Sequence, residues 1–177
     1  MLPILQLIVD TVATILGAVL LLRFWMQAIR VRPPSSVAQF TFTLSDWLVK
    51  PLRRIVPGAG GYDWASLIAA FLVVLLATSI YLLAGVSGEQ VFLFALARFI
   101  KWIIYGFVAL LIIEAIFSWV NPHAPLAPFV HELNAPLLRP IRRVVPPIGG
   151  LDLSVLVAVL LLQIALYLLR IVIPGPY

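Results

Sequence analysis

The stretch Lys50-Pro-Leu-Arg-Arg-Ile-Val-Pro-Gly-Ala-Gly-Gly-Tyr-Asp-Trp-Ala-Ser-Leu-Ile68 returns 89 residues later. There it reads Arg139-Pro-Ile-Arg-Arg-Val-Val-Pro-Pro-Ile-Gly-Gly-Leu-Asp-Leu-Ser-Val-Leu-Val157. Without a gap, nine of the 19 pairs are identical. They are Pro51/Pro140, Arg53/Arg142, Arg54/Arg143, Val56/Val145, Pro57/Pro146, Gly60/Gly149, Gly61/Gly150, Asp63/Asp152 and Leu67/Leu156. Self-similarity at a fixed interval sets the architecture before any local propensity is weighed. The chain reads as one unit written twice, over residues 1–88 and 89–177.

The rest of the composition says where that unit lives. The chain is 63% hydrophobic and only 11% charged. A soluble domain carries roughly a quarter charged residues, so lipid is the solvent this chain requires. Without cysteine there is no disulfide framework, thiolate metal site or cysteine nucleophile. The net charge of +5 sits in a few clusters and points to a membrane surface rather than to nucleic acid. No positive charge precedes Arg23, so a cleavable signal peptide is not expected.

About 20 mostly apolar residues cross the hydrocarbon of a bilayer, and four segments meet that requirement. They run from about Ile4 to Met26, between Asp63 and Glu89, from about Trp102 to Val120, and from Leu153 to about Ile173. The sequence therefore predicts an all-α membrane protein of four transmembrane helices in two tandem parallel repeats, related by an axis along the membrane normal. Residues 90–100 read either as a short helix in the interface or as the start of a long tilted third helix; the second is favoured, because nothing between Gln90 and Trp102 breaks one. Each repeat places its motif in a basic loop, 27–63 or 121–152. The loops carry Arg30, Arg32, Lys50, Arg53, Arg54, Arg139, Arg142 and Arg143, against Arg98 and Lys101 on the other side. By the positive-inside rule the loops are cytoplasmic and both termini periplasmic.

Upstream of each arginine pair, apolar residues recur at helical spacing: Phe40, Leu44, Trp47, Leu48, Leu52 and Ile55, then Phe129, Leu133, Leu137, Ile141 and Val144. That period predicts an amphipathic helix on the membrane surface, broken in two by Pro51 or Pro140 and stopped by Pro57 or Pro146. Gly60 with Gly61, and Gly149 with Gly150, permit a sharp return to the membrane. Asp63 and Asp152 then stand where a cap for the next span belongs. Turn, cap and anchor account for the motif locally. An arginine pair beside a glycine turn and a helix start is also how proteins hold phosphate. Lys50, Arg53, Arg54, Arg139, Arg142 and Arg143 are thus candidates for anionic headgroups or a partner protein.

Inside the spans, Arg23, Glu114 and Gln163 are the polar candidates, with Asp10 near the outer end of its span and able to reach water. A charge at that depth is a functional candidate by default. Allowing a two-residue gap, Arg23 aligns with Glu114, which predicts an ion pair between them across the repeat axis. Gln163 suits a helix–helix hydrogen bond. His123 and His131 occur in the second loop only and read as ordinary loop residues rather than as metal or haem ligands. No cofactor is expected. The catalytic patterns of paired carboxylates, Ser-His-Asp or HExxH are missing, and enzyme activity is disfavoured.

The doubled Lys/Arg-Pro-Leu/Ile-Arg-Arg-Ile/Val-Val-Pro-x-x-Gly-Gly-x-Asp motif resembles the YggT family, also called YlmG. The resemblance extends to Arg23-Phe-Trp-Met-Gln, Ser118-Trp-Val120 and Asn134-Ala-Pro-Leu-Leu-Arg-Pro140. Gly58-Ala59 departs from the more typical Pro147-Ile148 of the second copy, which implies a looser first turn. The resemblance implies a bacterial inner-membrane protein of four spans, without defined catalytic residues. Relatives have been linked to osmotic tolerance, potassium homeostasis, division-site or nucleoid organisation, and cytochrome assembly in chloroplasts. Two functions are therefore weighed. One is a non-enzymatic scaffold, assembly or stress-tolerance protein contacting anionic lipid and other membrane or cytoplasmic proteins. The other is an ion or osmolyte (potassium) transport component, with a homo-oligomeric pore as its channel form.

Overall fold

The computed structural model describes residues 2–56, 58–145 and 152–175. Among them, six α-helices follow one another: α1 (Leu2–Ala28), α2 (Ser35–Ile55), α3 (Trp64–Thr78), α4 (Gly88–Val120), α5 (Ala127–Val144) and α6 (Ser154–Val172). A 3-10 segment, Ser79–Ala84, extends α3. No strand occurs among the described residues. Four stretches are long and apolar enough to span a membrane: Ile4–Ala28, Trp64–Ala84, Gly88–Val120 and Ser154–Val172. At most 28% of any of their most apolar windows is buried inside the protein. Ile8, Leu76, Leu83, Ile116, Leu160 and Leu168 are exposed, a surface that only hydrocarbon solvates without penalty.

The third span is a single helix of 33 residues, as the unbroken sequence predicts. Its start is written locally. Ser87 Oγ accepts from Gln90 N at 3.3 Å, and Gln90 Oε1 accepts from Ser87 N at 3.4 Å. Together they form a capping box that satisfies two free N–H groups. At 1.5 Å rise per residue the helix is about 50 Å long, more than the hydrocarbon thickness. Arg98 and Lys101 lie within α4, as a long third helix implies.

Packing follows small residues. Ala65, Ala69 and Ala70 of α3 are buried with Leu20 of α1 and Val49 of α2. Side chains this small let helices approach in lipid, where dispersion rather than water exclusion drives association. Gly17 lets α1 approach α4, since a Cβ there would fall on the Trp102 ring. A second cluster, Met26, Phe129, Val130 and Leu133, joins the end of α1 to α5, with Leu110 and Phe117 of α4 against it. Leu111, Leu138 and Ala158 form the third, among α4, α5 and α6.

Two expectations about the basic helices are corrected. Neither is broken by proline: α2 runs through Pro51, and α5 runs through Pro136 and Pro140. All three rings are exposed, so the carbonyls they deprive of a donor are on an outward face, where bending is cheap. Nor is the apolar stripe of α5 a free membrane face, because Phe129 and Leu133 are buried against Trp25 and Met26. In α2 the buried positions include the polar Thr41 and Ser45, while Phe40, Trp47 and Ile55 are exposed.

Candidate functional site

The polar side of α2 turns inward because α1 carries a charge that needs it. Arg23 is 5% exposed. Its Nη1 donates to Ser45 Oγ at 2.6 Å and to Asp46 Oδ1 at 2.7 Å. Ser45 Oγ in turn donates to the Thr41 carbonyl at 2.6 Å. Arg23 Nε lies 3.5 Å from Asp63 Oδ2, an ion-pair contact without hydrogen-bond alignment. The guanidinium also stacks over Phe42, 4.8 Å from the ring centroid. A cation at this depth is tolerated only with such a set of partners.

Asp63 is the hub. It is 3% exposed and caps α3, accepting from Ser66 N at 3.4 Å and from Ser66 Oγ at 2.6 Å. Arg53 then grips it with both arms, Nε to Oδ1 at 3.2 Å and Nη2 to Oδ2 at 2.5 Å. A fork on a carboxylate is the strongest form of this contact. Burial pushes the Asp63 carboxyl up, but Arg53 and Ser66 together hold it below the usual value. The same contact raises the Arg53 guanidinium, chiefly through the hydrogen bonds that it donates to Asp63. Lys50 reaches Asp46 at 2.8 Å, and with Arg23 it lowers the Asp46 carboxyl.

The turn that brings Asp63 to Arg53 needs glycine. Gly60 and Gly61 have φ of 68° and 84°, left-handed values that a side chain resists. Trp64 Nε1 donates to the Ala59 carbonyl at 3.0 Å and closes the turn. The equivalent Gly149, Gly150 and Pro146, like Pro57, lie outside the described residues.

The second network is built differently. Arg142 Nη2 lies 2.8 Å from Asp152 Oδ2 and 3.3 Å from Glu114 Oε1. His131 Nδ1 meets the same Glu114 oxygen at 2.9 Å. Asp152 accepts from Ser154 N at 3.0 Å and from Ser154 Oγ. The cap position of α6 itself is Leu153, one residue later than expected. Burial raises the Asp152 carboxyl, and Ser154 and Arg142 outweigh that and lower it.

The expected Arg23–Glu114 pair does not form. Arg23 bonds to α2 and to the cap of α3, and Glu114 to His131 and Arg142, both on α5. The reason is geometric. α2 and Asp63 fold back onto α1, and α5 folds back onto α4, so each charge meets its partners there. Among the described residues an ion pair does join α1 to α4, Asp10–Arg98 at 2.8 Å, and Asp10 is not simply a residue reaching water. Gln163 is exposed on α6 rather than turned into a helix–helix contact.

The residues of the motif divide into two sets. Arg53 and Arg142 are held in ion pairs. Arg54, Arg139 and Arg143 are exposed, next to the apolar Ile55 and Val144, each 80% exposed. No group of three or more histidine, cysteine, aspartate or glutamate side chains that could hold a metal occurs among the described residues. Sequence reasoning passed over Ser45, Asp46 and His131 as network members. The i,i+4 spacing of Asp46 and Lys50 was their one visible signal.

This doubled arginine–aspartate unit on four spans has known relatives. The CCB3/YggT family model matches residues 1–84 and 93–173. The chain belongs to the CCB3/YggT family. It is 35% identical to an uncharacterized protein of Vibrio alginolyticus over 171 residues, 92% of this chain and 91% of that one. It is 33% identical to the uncharacterized protein YggT of Escherichia coli (strain K12) over 168 residues, covering 90% and 86%. An uncharacterized protein of Pseudomonas aeruginosa is 36% identical over 164 residues, covering 89% and 83%. No solved structure matches the chain significantly.

Proposed function

We propose that this CCB3/YggT protein is a non-enzymatic scaffold of the inner membrane that holds anionic lipid and partner proteins on two basic helices. The observation that carries the reading is the division within each arginine pair. Arg53 and Arg142 are committed to Asp63 and Asp152, while Arg54 and Arg143 stand exposed beside Ile55 and Val144. A basic side chain next to an exposed apolar one at a helix end is suited to the headgroup layer, where each contributes about 1 kcal/mol of attraction to an anionic leaflet.

The sequence repeat and the order span, basic helix, span within each half support two tandem parallel units. On that arrangement both basic helices face the cytoplasm and both termini the periplasm. The osmotic and potassium phenotypes implied by the family resemblance would then reflect assembly at the membrane rather than conduction. Reconstitution tests the reading. The protein in mixed vesicles should enrich phosphatidylglycerol over phosphatidylcholine around itself and carry no potassium flux above empty vesicles. Sustained potassium flux through pure protein would support a transport component instead.

A further inference from the structure

Of the four spans, α6 is the least buried. Only 11% of its most apolar window is buried, against 22% to 28% for the others. The first copy of the motif leads into α3, which has two other spans packed against it, α1 and α4. The second copy leads into α6, which packs mainly on α4 and on the basic helix α5, through Leu111, Leu138 and Ala158. One side of α6 is thus left without a neighbouring span in its own chain.

That open side carries a polar residue in mid-span. Leu156, Leu160, Gln163 and Tyr167 follow at steps of four, three and four residues, the spacing that lines one seam of a helix. All four are exposed. Gln163 is the central residue of the 19 in α6, and among the described residues it has no hydrogen-bond partner in its own chain. Hydrocarbon offers no water to satisfy its amide, and an unpaired amide there is costly. Arg170 continues the spacing in the last turn, where a long basic side chain reaches the headgroups.

A primary amide carries donors and an acceptor on one group, so it is complementary to itself. Two copies inserted in the same orientation hold like residues at like depth. A twofold axis along the membrane normal beside α6 then sets Gln163 against Gln163, each donating to the other, with the leucines and Tyr167 packed above and below. A lipid chain can cover the leucines but cannot bond the amide. A different protein would need its own polar group at that depth, which a second copy supplies by symmetry. We propose that the protein forms a twofold dimer through α6, with paired Gln163 side chains at its centre. The seam uses none of the exposed arginines of α2 and α5, so it is independent of lipid binding there.

The chain has no cysteine, so single cysteines read the seam in native membranes. Oxidation with copper phenanthroline should link Leu160→Cys into a disulfide-bonded pair of full chains. Leu161→Cys should stay single, because it stands at nearly the same depth but about 100° round the helix. In vesicles, energy transfer between labelled copies should give a dissociation constant that Gln163→Leu raises about three- to fifteenfold. Gln163→Asn, which keeps an amide, should restore most of that loss. Gln163 is exposed in the single chain, so both variants should fold. Leu160→Cys left single, as lipid on the seam would leave it, overturns the proposal. So does its linkage to a protein of different mass, equal linkage of Leu161→Cys, or a Gln163→Leu variant that dimerises as tightly as wild type.

Discussion

Arg53 holds Asp63 with a two-armed contact in which the carboxylate side chain is 2% exposed and the guanidinium 43% exposed. The arginine thus closes over an aspartate that also caps α3 and faces Arg23. Arg142 makes the matching pair with Asp152, but with both nitrogens on the one oxygen Oδ2, and there the carboxylate side chain is 40% exposed. One motif therefore has a buried and an open version, and the two should differ in what they contribute.

Asp63→Asn leaves Arg23 and Arg53 facing a neutral group inside the fold. Breaking a buried pair by removing one partner costs about 3 to 5 kcal/mol, well beyond the roughly 1 kcal/mol of a lost cap. Asp152→Asn should cost about 1 kcal/mol. Unfolding in mixed micelles by denaturant would measure both. Equal losses would mean that Asp63 is no more than a cap.

The same carboxylates give a pH dependence of known sign. Asp46, Asp63 and Asp152 are all lowered from 3.8 in the folded chain. Between the folded and unfolded values the unfolded chain binds more protons, so stability rises with pH. The contribution is complete above the ordinary carboxylate value and is lost as pH falls through the lowered ones. Thermal unfolding in detergent should be flat from pH 7 to 5 and drop below about pH 4. Arg53→Gln should flatten that drop.

Arg23 and Glu114 share no partner, so their substitutions should add. A double-mutant cycle with Arg23→Gln and Glu114→Gln should show coupling within about 0.5 kcal/mol. A double variant clearly less damaged than the sum would restore the direct pair that repeat alignment predicts.

Topology follows from the exposed basic residues. A cytoplasm-dependent reporter fused after Pro34 or His123 should be active, and one after Tyr177 inactive. The opposite pattern would place Arg54 and Arg143 on the wrong leaflet for a cytoplasmic role.

What could be read from the chain depended on whether the cause was local. The four spans were legible because length and hydropathy suffice to define them. The long α4 was legible only in that nothing between Gln90 and Trp102 breaks a helix; the capping box of Ser87 and Gln90 that starts it went unread. The Arg23–Glu114 pair was misread because alignment of repeats assigns equivalent places, not partners. Partners are set by which helices touch, and α1 packs its Leu20 face on the alanines of α3, which brings Arg23 to Asp63. The stripe of α5 carried the same period as a surface helix. Only the positions of Trp25 and Met26 in another element bury it. Asp10–Arg98 joins residues on different helices 88 positions apart, and no spacing rule reaches that far.

The division of each arginine pair is tested most directly by the lipid preference of one variant. Energy transfer from tryptophan to dansyl-labelled phosphatidylglycerol, set against labelled phosphatidylcholine, reads that preference in proteoliposomes. Arg54→Gln/Arg139→Gln/Arg143→Gln removes three exposed cations, each worth about 1 kcal/mol at an anionic surface. It should unfold at the wild-type temperature, because none of the three is in an ion pair among the described residues. Its surface preference for phosphatidylglycerol should fall to the level that wild type shows at high salt, where exposed charges are screened over about 3 Å at 1 M. Full preference retained by this folded variant would contradict the account, and the exposed arginines would then serve something other than lipid.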